Sequence, residues 1–340
     1  MVRTMNEKIA KLCRGQGLGE LLATPAPVSG GYLHKMLRVE TGRGIFAIKA
    51  LNPYIMMRQE ALGNMRRGER INSEFGSCRS GLSPTNEGHC LSMTECSQRP
   101  PSRRVMAGIR NSELNVCASL SGVAEVEGSY FIVYPWVEGR KVFAPEITVE
   151  HCRIMGDVLG RIHRSDVRIP GVEPEMDLRQ PFDWSLVEDG RVAAWDAAAL
   201  EGLRRLRAVQ VISHRDLDPK NVLWKGMQPC IIDWEAAGYV NPWQELIELL
   251  NYWADDEEKA RAMIAAYGAH RTLHEADWDA ALAAGMDGML GWLHYNLRRA
   301  KGMEGSTPQD RTEGEAHVRG TLAELEQYEQ RAAFLRRVLG

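Results

Sequence analysis

Hydrophobic and polar residues over the first seventy positions follow short periods that predict a helix, a β-hairpin and a second helix. The first twenty residues mix charges with short apolar steps and predict a short helix that ends at Gly17 and Gly19. Two β-rich runs, 28–40 and 45–50, flank a glycine-containing turn, which is the signal of a hairpin. Apolar positions of the next segment, 54–71, are separated by charges at a spacing that predicts an amphipathic helix.

The pattern changes between residues 72 and 117. This segment holds four of the seven cysteines, eight serines and two adjacent prolines, with Phe75 as its one aromatic residue. A stretch of that length without a helical or strand period is uncommon inside a compact domain. Three interpretations stay open: a surface insertion, a disordered loop, or a reading-frame error in the gene. Zinc binding is disfavoured because the tight cysteine pairs of structural zinc sites are missing among Cys78, His89, Cys90 and Cys96.

From residue 131 the chain begins with a buried strand, stopped by Pro135 and Gly139, and then becomes mainly helical. Helices are predicted at 148–165, 195–208, 241–253, 257–267, 278–299 and 321–339, with short strands at 209–213 and 230–233. We therefore expect a β-rich N-terminal part over residues 1–133 that contains the anomalous segment, a connection over 134–139, and a helical C-terminal part over 140–340.

Composition narrows the class of protein. The 340 residues are 44% hydrophobic and 26% charged, as in ordinary globular proteins, and the net charge of -3 excludes a generally basic nucleic-acid binder. The longest apolar run, 131–137, is far shorter than the roughly 20 residues of a membrane-spanning helix. An odd number of cysteines without paired spacing indicates a reducing compartment. We expect a cytoplasmic protein without a nucleic-acid or membrane partner, and no obligate protein partner is evident.

The densest chemical signal is V-I-S-H-R-D-L-D-P-K-N-V-L-W at 211–224, followed by I-I-D-W-E at 231–235. His214, Asp216 and Asn221 have the spacing H-x-D-x4-N, and Asp233 follows twelve residues after Asn221. Phosphoryl transfer needs a carboxylate near the attacking hydroxyl and hard oxygen ligands for Mg²⁺. A single Asp or Asn residue in a loop is usually a turn former or a helix cap. The combination of His214, Asp216, Asn221 and Asp233 at these spacings, between two apolar strands, favours a catalytic interpretation. We expect His214 to hold the loop backbone.

This constellation resembles the eukaryotic-like kinase fold, and most closely its aminoglycoside phosphotransferase and choline-kinase-like branch. The resemblance implies an α+β, protein-kinase-like two-lobe fold, with an antiparallel β-sheet N-lobe and a mainly helical C-lobe. The Asp216 loop matches the catalytic loop of that fold, and Asp233 matches the metal-binding Asp of D-F-G. The resemblance therefore implies that Asp216 is catalytic, that Asn221 and Asp233 bind Mg²⁺, and that ATP is the phosphate donor.

The same resemblance assigns the residues that grip the phosphates. Lys49, in F-A-I-K, matches the strand lysine that contacts the α and β phosphates, although a lone lysine at a strand end is more often a solvated edge charge. Its partner glutamate is expected on the next helix, where Glu69 lies twenty residues on and Glu60 is the alternative.

The glycine turn and the hinge complete the assignment. Gly30 and Gly31 match the turn over the phosphates, although the pair alone would predict no more than a hairpin turn. Tyr134 and Trp136 fall in the hinge that touches adenine, with plain core aromatics as the alternative.

Three departures from protein kinases favour a small-molecule substrate. The full G-x-G-x-x-G motif is missing, Asp218 stands where Ser/Thr kinases usually carry lysine, and a helix begins within about ten residues of Asp233, which leaves no room for an activation segment. We expect an ATP-dependent phosphotransferase acting on a small-molecule hydroxyl, with an aminoglycoside-like acceptor favoured. The alternatives are a kinase of a metabolic alcohol, such as an amino alcohol or sugar, and a non-catalytic nucleotide-binding protein.

Acidic residues near the Asp216 loop and in the following helices offer a further hint about the acceptor. A polycationic acceptor would be attracted to such a cluster. Charge runs are usually solvated helix faces, however, and that interpretation is favoured. The residues concerned are Asp218, Glu235, Glu245, Glu248, Asp255, Asp256, Glu257 and Glu258.

Overall fold

The computed structural model describes residues 4–28, 33–76, 114–165, 167–174, 177–187, 189–305 and 307–340. The chain divides into two compact units. The first contains the chain up to Glu138 together with Cys230–Glu235, and the second contains Gly139–Pro229 and Ala236–Gly340. Gly30, Gly31 and most of the anomalous segment lie outside the described residues. None of the helices in the described ranges is both long and apolar enough to cross a membrane.

The first unit is built on a five-stranded antiparallel sheet with the order β1-β2-β3-β5-β4. The predicted hairpin is confirmed, but its first run is divided into two strands. The bounds are β1 Ala26–Val28, β2 Lys35–Thr41, β3 Gly44–Ala50, β4 Val123–Val126 and β5 Ser129–Pro135.

Helix α1 (Met5–Gly15) covers the sheet because its apolar face is continuous. Thr4 and Glu7 form a capping box at its start. Its buried residues Ile9, Leu12 and Cys13 join a core that includes strand residues Val39, Ile48 and Phe131.

The helix predicted over 54–71 is two helices. Asn52 caps the short α2 (Pro53–Met56), whose first residue is the proline that suits this position. A separate helix, α3 (Ala61–Gly76), then extends five residues into the anomalous segment, so that the start of this segment is helical.

The second unit is mainly helical, as predicted, and the largest differences in helix bounds are the start of the helix predicted at 195–208, which lies four residues earlier, and the two described below. Its helices are α4 Val149–Arg164, α5 Arg191–Leu206, α6 Pro242–Trp253, α7 Glu257–Gly268, α8 Trp278–Ala284, α9 Asp287–Ala300 and α10 Pro308–Leu339. The single helix predicted over 278–299 is divided at Gly285, against which the hydroxyl of Tyr328 packs. The last helix begins thirteen residues earlier than predicted, at a capping box formed by Thr307 and Asp310.

Short strands frame the loop that carries the H-x-D-x4-N motif. Strand β6 (Val211–Ser213) pairs antiparallel with β9 (Gly238–Val240), and Ser213 lies opposite Gly238. The loop continues through a 3-10 turn, Pro219–Asn221, into β7 (Val222–Lys225). Strand β8 (Gln228–Ile231) then leads into the 231–235 motif.

Helices α4 and α7 approach each other through glycine. A Cβ placed on Gly156 would lie 2.3 Å from the carbonyl oxygen of Met263, and one on Gly160 would lie 2.6 Å from the ring of His270. Such distances leave no room for a methyl group, so the helix separation depends on these two positions.

We expect Gly156→Ala to lower the free energy of unfolding by about 1–3 kcal/mol, because the backbone of α7 must move to accept the methyl group. Urea unfolding followed by circular dichroism measures the change. The matched control is Gly288→Ala on α9, where a Cβ meets nothing within 4 Å; it should be neutral or stabilising by up to about 1 kcal/mol. Equal destabilisation by both substitutions would contradict the packing argument.

Candidate functional site

Lys49 lies on β3 and is almost completely buried in the first unit. It is 5% exposed, which excludes a solvated edge charge. Its ammonium donates a hydrogen bond to Oδ1 of Asp233 at 2.8 Å and another to the carboxylate of Glu235. Burial alone would lower the pKa of Lys49, but the charges and hydrogen bonds of the two carboxylates outweigh it and raise the pKa. Lys49 is therefore a buried cation with two anionic partners.

Asp233 stands in a segment whose backbone is firmly held. Its φ of 64° is in the left-handed region, which non-glycine residues use sparingly and often at functional sites. Just before it, Ile231 forms a parallel bridge with Val116. Just after it, the ring of Trp234 stacks on Phe75 of α3, with the ring centroids 5.1 Å apart. These contacts fix the direction in which the Asp233 carboxylate leaves the chain.

Helix α3 runs so close to this segment that position 68 has room for glycine but not for alanine. A Cβ on Gly68 would lie 2.5 Å from the carbonyl oxygen of Trp234 and 3.2 Å from Cα of Glu235. Backbone contact therefore sets the spacing between α3 and the segment that carries Asp233.

Glu69, the expected partner of Lys49, has a different partner in this structure. It is 3% exposed on α3, and its Oε1 accepts a hydrogen bond from the hydroxyl of Tyr134. Burial, and then the charge and hydrogen bond of Glu69, raise the pKa of Tyr134 well above its ordinary value, so the hydroxyl stays protonated. Oε2 of Glu69 is buried and has no hydrogen-bond partner within the described ranges. The alternative, Glu60, lies exposed just before α3.

Trp136 directly follows the end of β5, an interior strand of the sheet. Its backbone N–H donates to the carbonyl of Ile45 at 3.1 Å, and its indole N–H donates to Oε1 of Glu138 at 2.8 Å. The guanidinium of Arg38 lies 5.4 Å from its ring centroid. Tyr134, by contrast, is buried in the core. The adenine contacts of both residues stay predictions.

In the second unit, Asp216 and Asn221 are brought together. The side-chain amide of Asn221 donates to both Oδ2 and the backbone carbonyl of Asp216, each at 2.9 Å. The ammonium of Lys220 donates to Oδ1 of Asp216 at 3.1 Å. Because the amide nitrogen of Asn221 makes both bonds, its side-chain carbonyl oxygen is the atom suited to a cation. The carboxylate of Asp216 is thus held in a defined orientation.

A buried chain of hydrogen-bonded polar groups, formed by Glu245, His163 and Tyr267, holds the backbone of this loop. Arg215 has a φ of 65°, and its N–H donates to Oε1 of Glu245 at 2.7 Å. Nε2 of His163 lies 2.8 Å from Oε2 of Glu245, and its Nδ1 lies 2.9 Å from the hydroxyl of Tyr267. Burial alone would raise the pKa of Glu245, but His163 and the hydrogen bonds lower it, so the group is an anion.

Two further contacts hold the same loop. The ring of His214 is buried, and its Nδ1 accepts the N–H of Asp216 at 3.2 Å, which is the backbone-holding role expected for it. The indole of Trp253 donates to the carbonyl of Leu217 at 2.7 Å. The side chains of Glu245, His214 and Trp253 therefore fix three of the peptide groups around Asp216.

The acidic residues proposed for acceptor attraction divide into groups with different roles. Including Glu245 was wrong, since it is buried beneath the loop and fully engaged. The signal that could have identified it is a carboxylate within an otherwise apolar helix sequence, W-Q-E-L-I-E-L-L. Glu235 contacts Lys49 in the first unit, and Asp218 caps the turn by accepting the N–H of Lys220 at 2.8 Å. Asp255 pairs with Lys259 at the surface, as the solvated-face interpretation predicts.

Glu248 is the remaining acid with an unusual environment. Burial and the charge of Glu245 raise its pKa to about 8, against the effect of a hydrogen bond from Gln244. Tyr252, one turn further along α6, experiences the charges of Glu248 and of Asp216. Glu248 therefore belongs to the electrostatic surroundings of the Asp216 loop.

The donor atoms of Asn221 and Asp233 suit Mg²⁺. Among the described residues, no group of three or more His, Cys, Asp or Glu side chains could hold a metal ion. Magnesium does not require such a group, because it keeps several waters and binds one or two protein oxygens together with substrate phosphates. An amide carbonyl and a carboxylate are hard oxygen donors of that kind.

Comparison with known proteins identifies the relatives of this chain. The family model described as "phosphotransferase enzyme family" matches residues 94–284. No curated protein matches the sequence significantly.

Solved structures share the fold at low sequence identity. A spectinomycin phosphotransferase in complex with ADP and spectinomycin is 14% identical, with a TM-score of 0.57, and the match covers 94% of this chain and 95% of that one. A choline kinase from Streptococcus pneumoniae is 15% identical, with a TM-score of 0.58 and coverage of 94% and 100%. An amicoumacin kinase in complex with AMP-PNP, Ca²⁺ and Ami is 11% identical, with a TM-score of 0.57 and coverage of 88% of each chain. The expected two-lobe fold class is thereby confirmed.

Removing the buried anion should free the loop. We expect Glu245→Leu to lower the free energy of unfolding by about 3–5 kcal/mol, since His163 and the N–H of Arg215 lose their partner. The double variant His163→Leu/Glu245→Leu should recover much of this loss, because no unpaired ionic partner remains. Hydrogen exchange of the 213–217 amides should be faster in both variants than in the wild-type chain, because the N–H of Arg215 lacks its acceptor in each of them. A loss below about 1 kcal/mol in the single variant would contradict the assignment.

The raised pKa of Glu248 predicts a specific dependence of stability on pH. Between its ordinary value of 4.5 and about 8, the folded protein keeps a proton that the unfolded chain has released. Stability should therefore fall as the pH rises through this window. Glu248→Gln cannot ionise and should lack this fall. Urea unfolding of both proteins from pH 5 to 9 tests the point, and parallel curves would refute it.

Proposed function

Because the chain belongs to the phosphotransferase enzyme family, we propose that it is an ATP-dependent kinase that transfers the γ-phosphate to a hydroxyl of a small molecule. The observation that carries this proposal is the Asp216 loop, in which Asn221 and Lys220 orient one carboxylate and the interior fixes the backbone on which it stands. Phosphoryl transfer depends mainly on the positioning of the reacting groups, and a carboxylate held in one orientation meets this requirement.

Asp216 orients the acceptor hydroxyl and accepts its proton as the phosphoryl group is transferred. Its two oxygens already receive hydrogen bonds from Asn221 and Lys220, so the carboxylate cannot rotate freely. Lys220 stays cationic: burial would lower its pKa, but Asp216 and Asp218 outweigh burial and raise it. It therefore keeps a positive charge beside the reacting group.

Lys49 holds the phosphates of ATP, with Asn221 and Asp233 as the ligands of Mg²⁺. Bound magnesium neutralises the phosphate oxygens and the charge that develops on them. The raised pKa of Lys49 keeps its charge under all ordinary conditions. ADP in the spectinomycin phosphotransferase and AMP-PNP with Ca²⁺ in the amicoumacin kinase support a nucleotide-binding role for the shared fold.

An amine-bearing, aminoglycoside-like acceptor is favoured. Tyr252 experiences the charges of Glu248, Asp216 and Asp218, and a cationic acceptor bound beside these acids would favour the ionised form of Glu248. The spectinomycin phosphotransferase supports this class, whereas the choline kinase supports the alternative, an amino alcohol of metabolism.

The first test is ADP release with Mg²⁺ and ATP across a panel of aminoglycosides, amino alcohols and sugars. One acceptor class should stimulate turnover, and Asp216→Asn should lower kcat by about 10²–10⁴-fold because it removes the proton acceptor while keeping the shape. Asp279→Asn, an exposed aspartate paired with Arg336, is the matched control and should leave turnover unchanged.

Two results would contradict the proposal. Magnesium-dependent ATP binding without stimulation by any acceptor of the panel would favour a non-catalytic nucleotide-binding protein. Stimulation that Asp216→Asn leaves intact would show that this carboxylate is not the proton acceptor.

A further inference from the structure

The buried ammonium of Lys49 has two carboxylate partners, and both come from the 231–235 motif. Asp233 accepts one hydrogen bond at 2.8 Å, and Glu235 accepts a second, shorter one. The proposed function, on which this inference rests, assigns Asp233 to Mg²⁺. A carboxylate that binds magnesium no longer serves the lysine fully, so a second carboxylate must hold the Lys49 ammonium in place while the phosphates bind to it.

Glu69 is poorly placed to be that anion. Its Oε1 is engaged by the hydroxyl of Tyr134, which comes from the neighbouring strand β5. Both residues are buried, so moving Oε1 of Glu69 to Lys49 would leave the Tyr134 hydroxyl without its acceptor in the core. Only Oε2 of Glu69, which has no hydrogen-bond partner within the described ranges, is outside this constraint, whereas Glu235 already contacts Lys49 directly.

Glu235 is supported from two sides. Helix α3 touches its backbone at Gly68, where an added Cβ would be 3.2 Å from Cα of Glu235. His34, which is 7% exposed, lies with Nε2 3.5 Å from Oε2 of Glu235.

The hydrogen bonds of His34 define which nitrogen carries its proton. The N–H of Asn52 donates to Nδ1 at 3.0 Å, so a neutral imidazole carries its proton on Nε2, toward Glu235. Burial, and then the charge of Lys49, lower the pKa of His34 to about 4 against the effect of Asp233, which keeps the ring neutral. His34 therefore points an N–H toward the carboxylate of Glu235. Because the ring is neutral, it adds no second positive charge beside Lys49.

We infer that Glu235, rather than Glu69, is the carboxylate that positions Lys49 for the nucleotide, and that His34 holds Glu235 in place. Glu235 is a positioning residue, because it acts on the nucleotide through Lys49. The second acid of the I-I-D-W-E motif takes the role that the helix glutamate has in the expected pattern.

Calorimetric titration of the full chain with AMP-PNP and Mg²⁺ tests this without any acceptor. Glu235→Gln should raise Kd about tenfold or more, the effect of losing a charge-assisted hydrogen bond. Glu69→Gln should raise it by less than about threefold, because an amide oxygen still accepts the bond from Tyr134. Glu125→Gln, on an exposed position of β4, is the matched control and should leave Kd unchanged.

Conservative variants separate positioning from a merely structural role. Glu235→Asp keeps the negative charge within reach of the flexible lysine stem and should recover most of the affinity. His34→Gln keeps a donor near the Nε2 position and should bind better than His34→Asn, which keeps an acceptor near Nδ1 for Asn52. If Glu235→Gln does not fold, the comparison of His34→Gln with His34→Asn still tests whether Glu235 is held in place for Lys49. The Tm of each variant without nucleotide checks that it folds.

The outcomes are distinct. A larger loss of affinity in Glu69→Gln than in Glu235→Gln would overturn the inference and leave the proposed function standing. Equal loss in Glu235→Asp and Glu235→Gln, or better binding by His34→Asn than by His34→Gln, would assign these residues a structural role and overturn it as well. A wild-type chain that does not bind AMP-PNP with Mg²⁺ would overturn both the inference and the proposed function.

Discussion

The hydrogen bond from the backbone N–H of Arg215 to the buried carboxylate of Glu245 is the interaction on which the Asp216 loop depends. An anion in the interior is stable only when it is fully engaged, and His163 and the loop backbone supply its partners. The loop therefore cannot move without exposing an unpaired charge to the apolar core. The same principle governs the first unit, where the cation of Lys49 ties β3 to the segment that carries Asp233.

Features that depend on neighbours in sequence were predictable. The spacing H-x-D-x4-N brings Asn221 onto Asp216 because a turn capped by Asp218 closes this distance within one short loop. The hairpin of β2 and β3 follows from alternating residues around a glycine turn for the same reason. Helix bounds were less certain where a glycine at a helix contact, such as Gly285, interrupts an unbroken apolar period.

The partners of buried charges could not be predicted, because they are distant in sequence. Glu245 and His163 are separated by 82 positions, and Lys49 and Glu235 by 186. Sequence periodicity reports which face of a helix is apolar, but it does not show which buried acid meets which base. For that reason Glu245 was placed among surface acids, and Glu69 was expected to pair with Lys49. The resemblance to kinases supplied the residue types of the site, but the partner that it implied for Lys49, Glu69, accepts a hydrogen bond from Tyr134.

The first unit is discontinuous along the chain, and this has a consequence for how it folds during synthesis. Its strands and α3 are complete before residue 138, yet the Val116 bridge and both counter-charges of Lys49 come from Cys230–Glu235. A nascent chain that ends at residue 138 would have to bury an ammonium group without an anion, which the interior does not tolerate. Closure of the first unit therefore waits for the translation of the 91 intervening residues, Gly139–Pro229. Until then, the sheet must remain partly open.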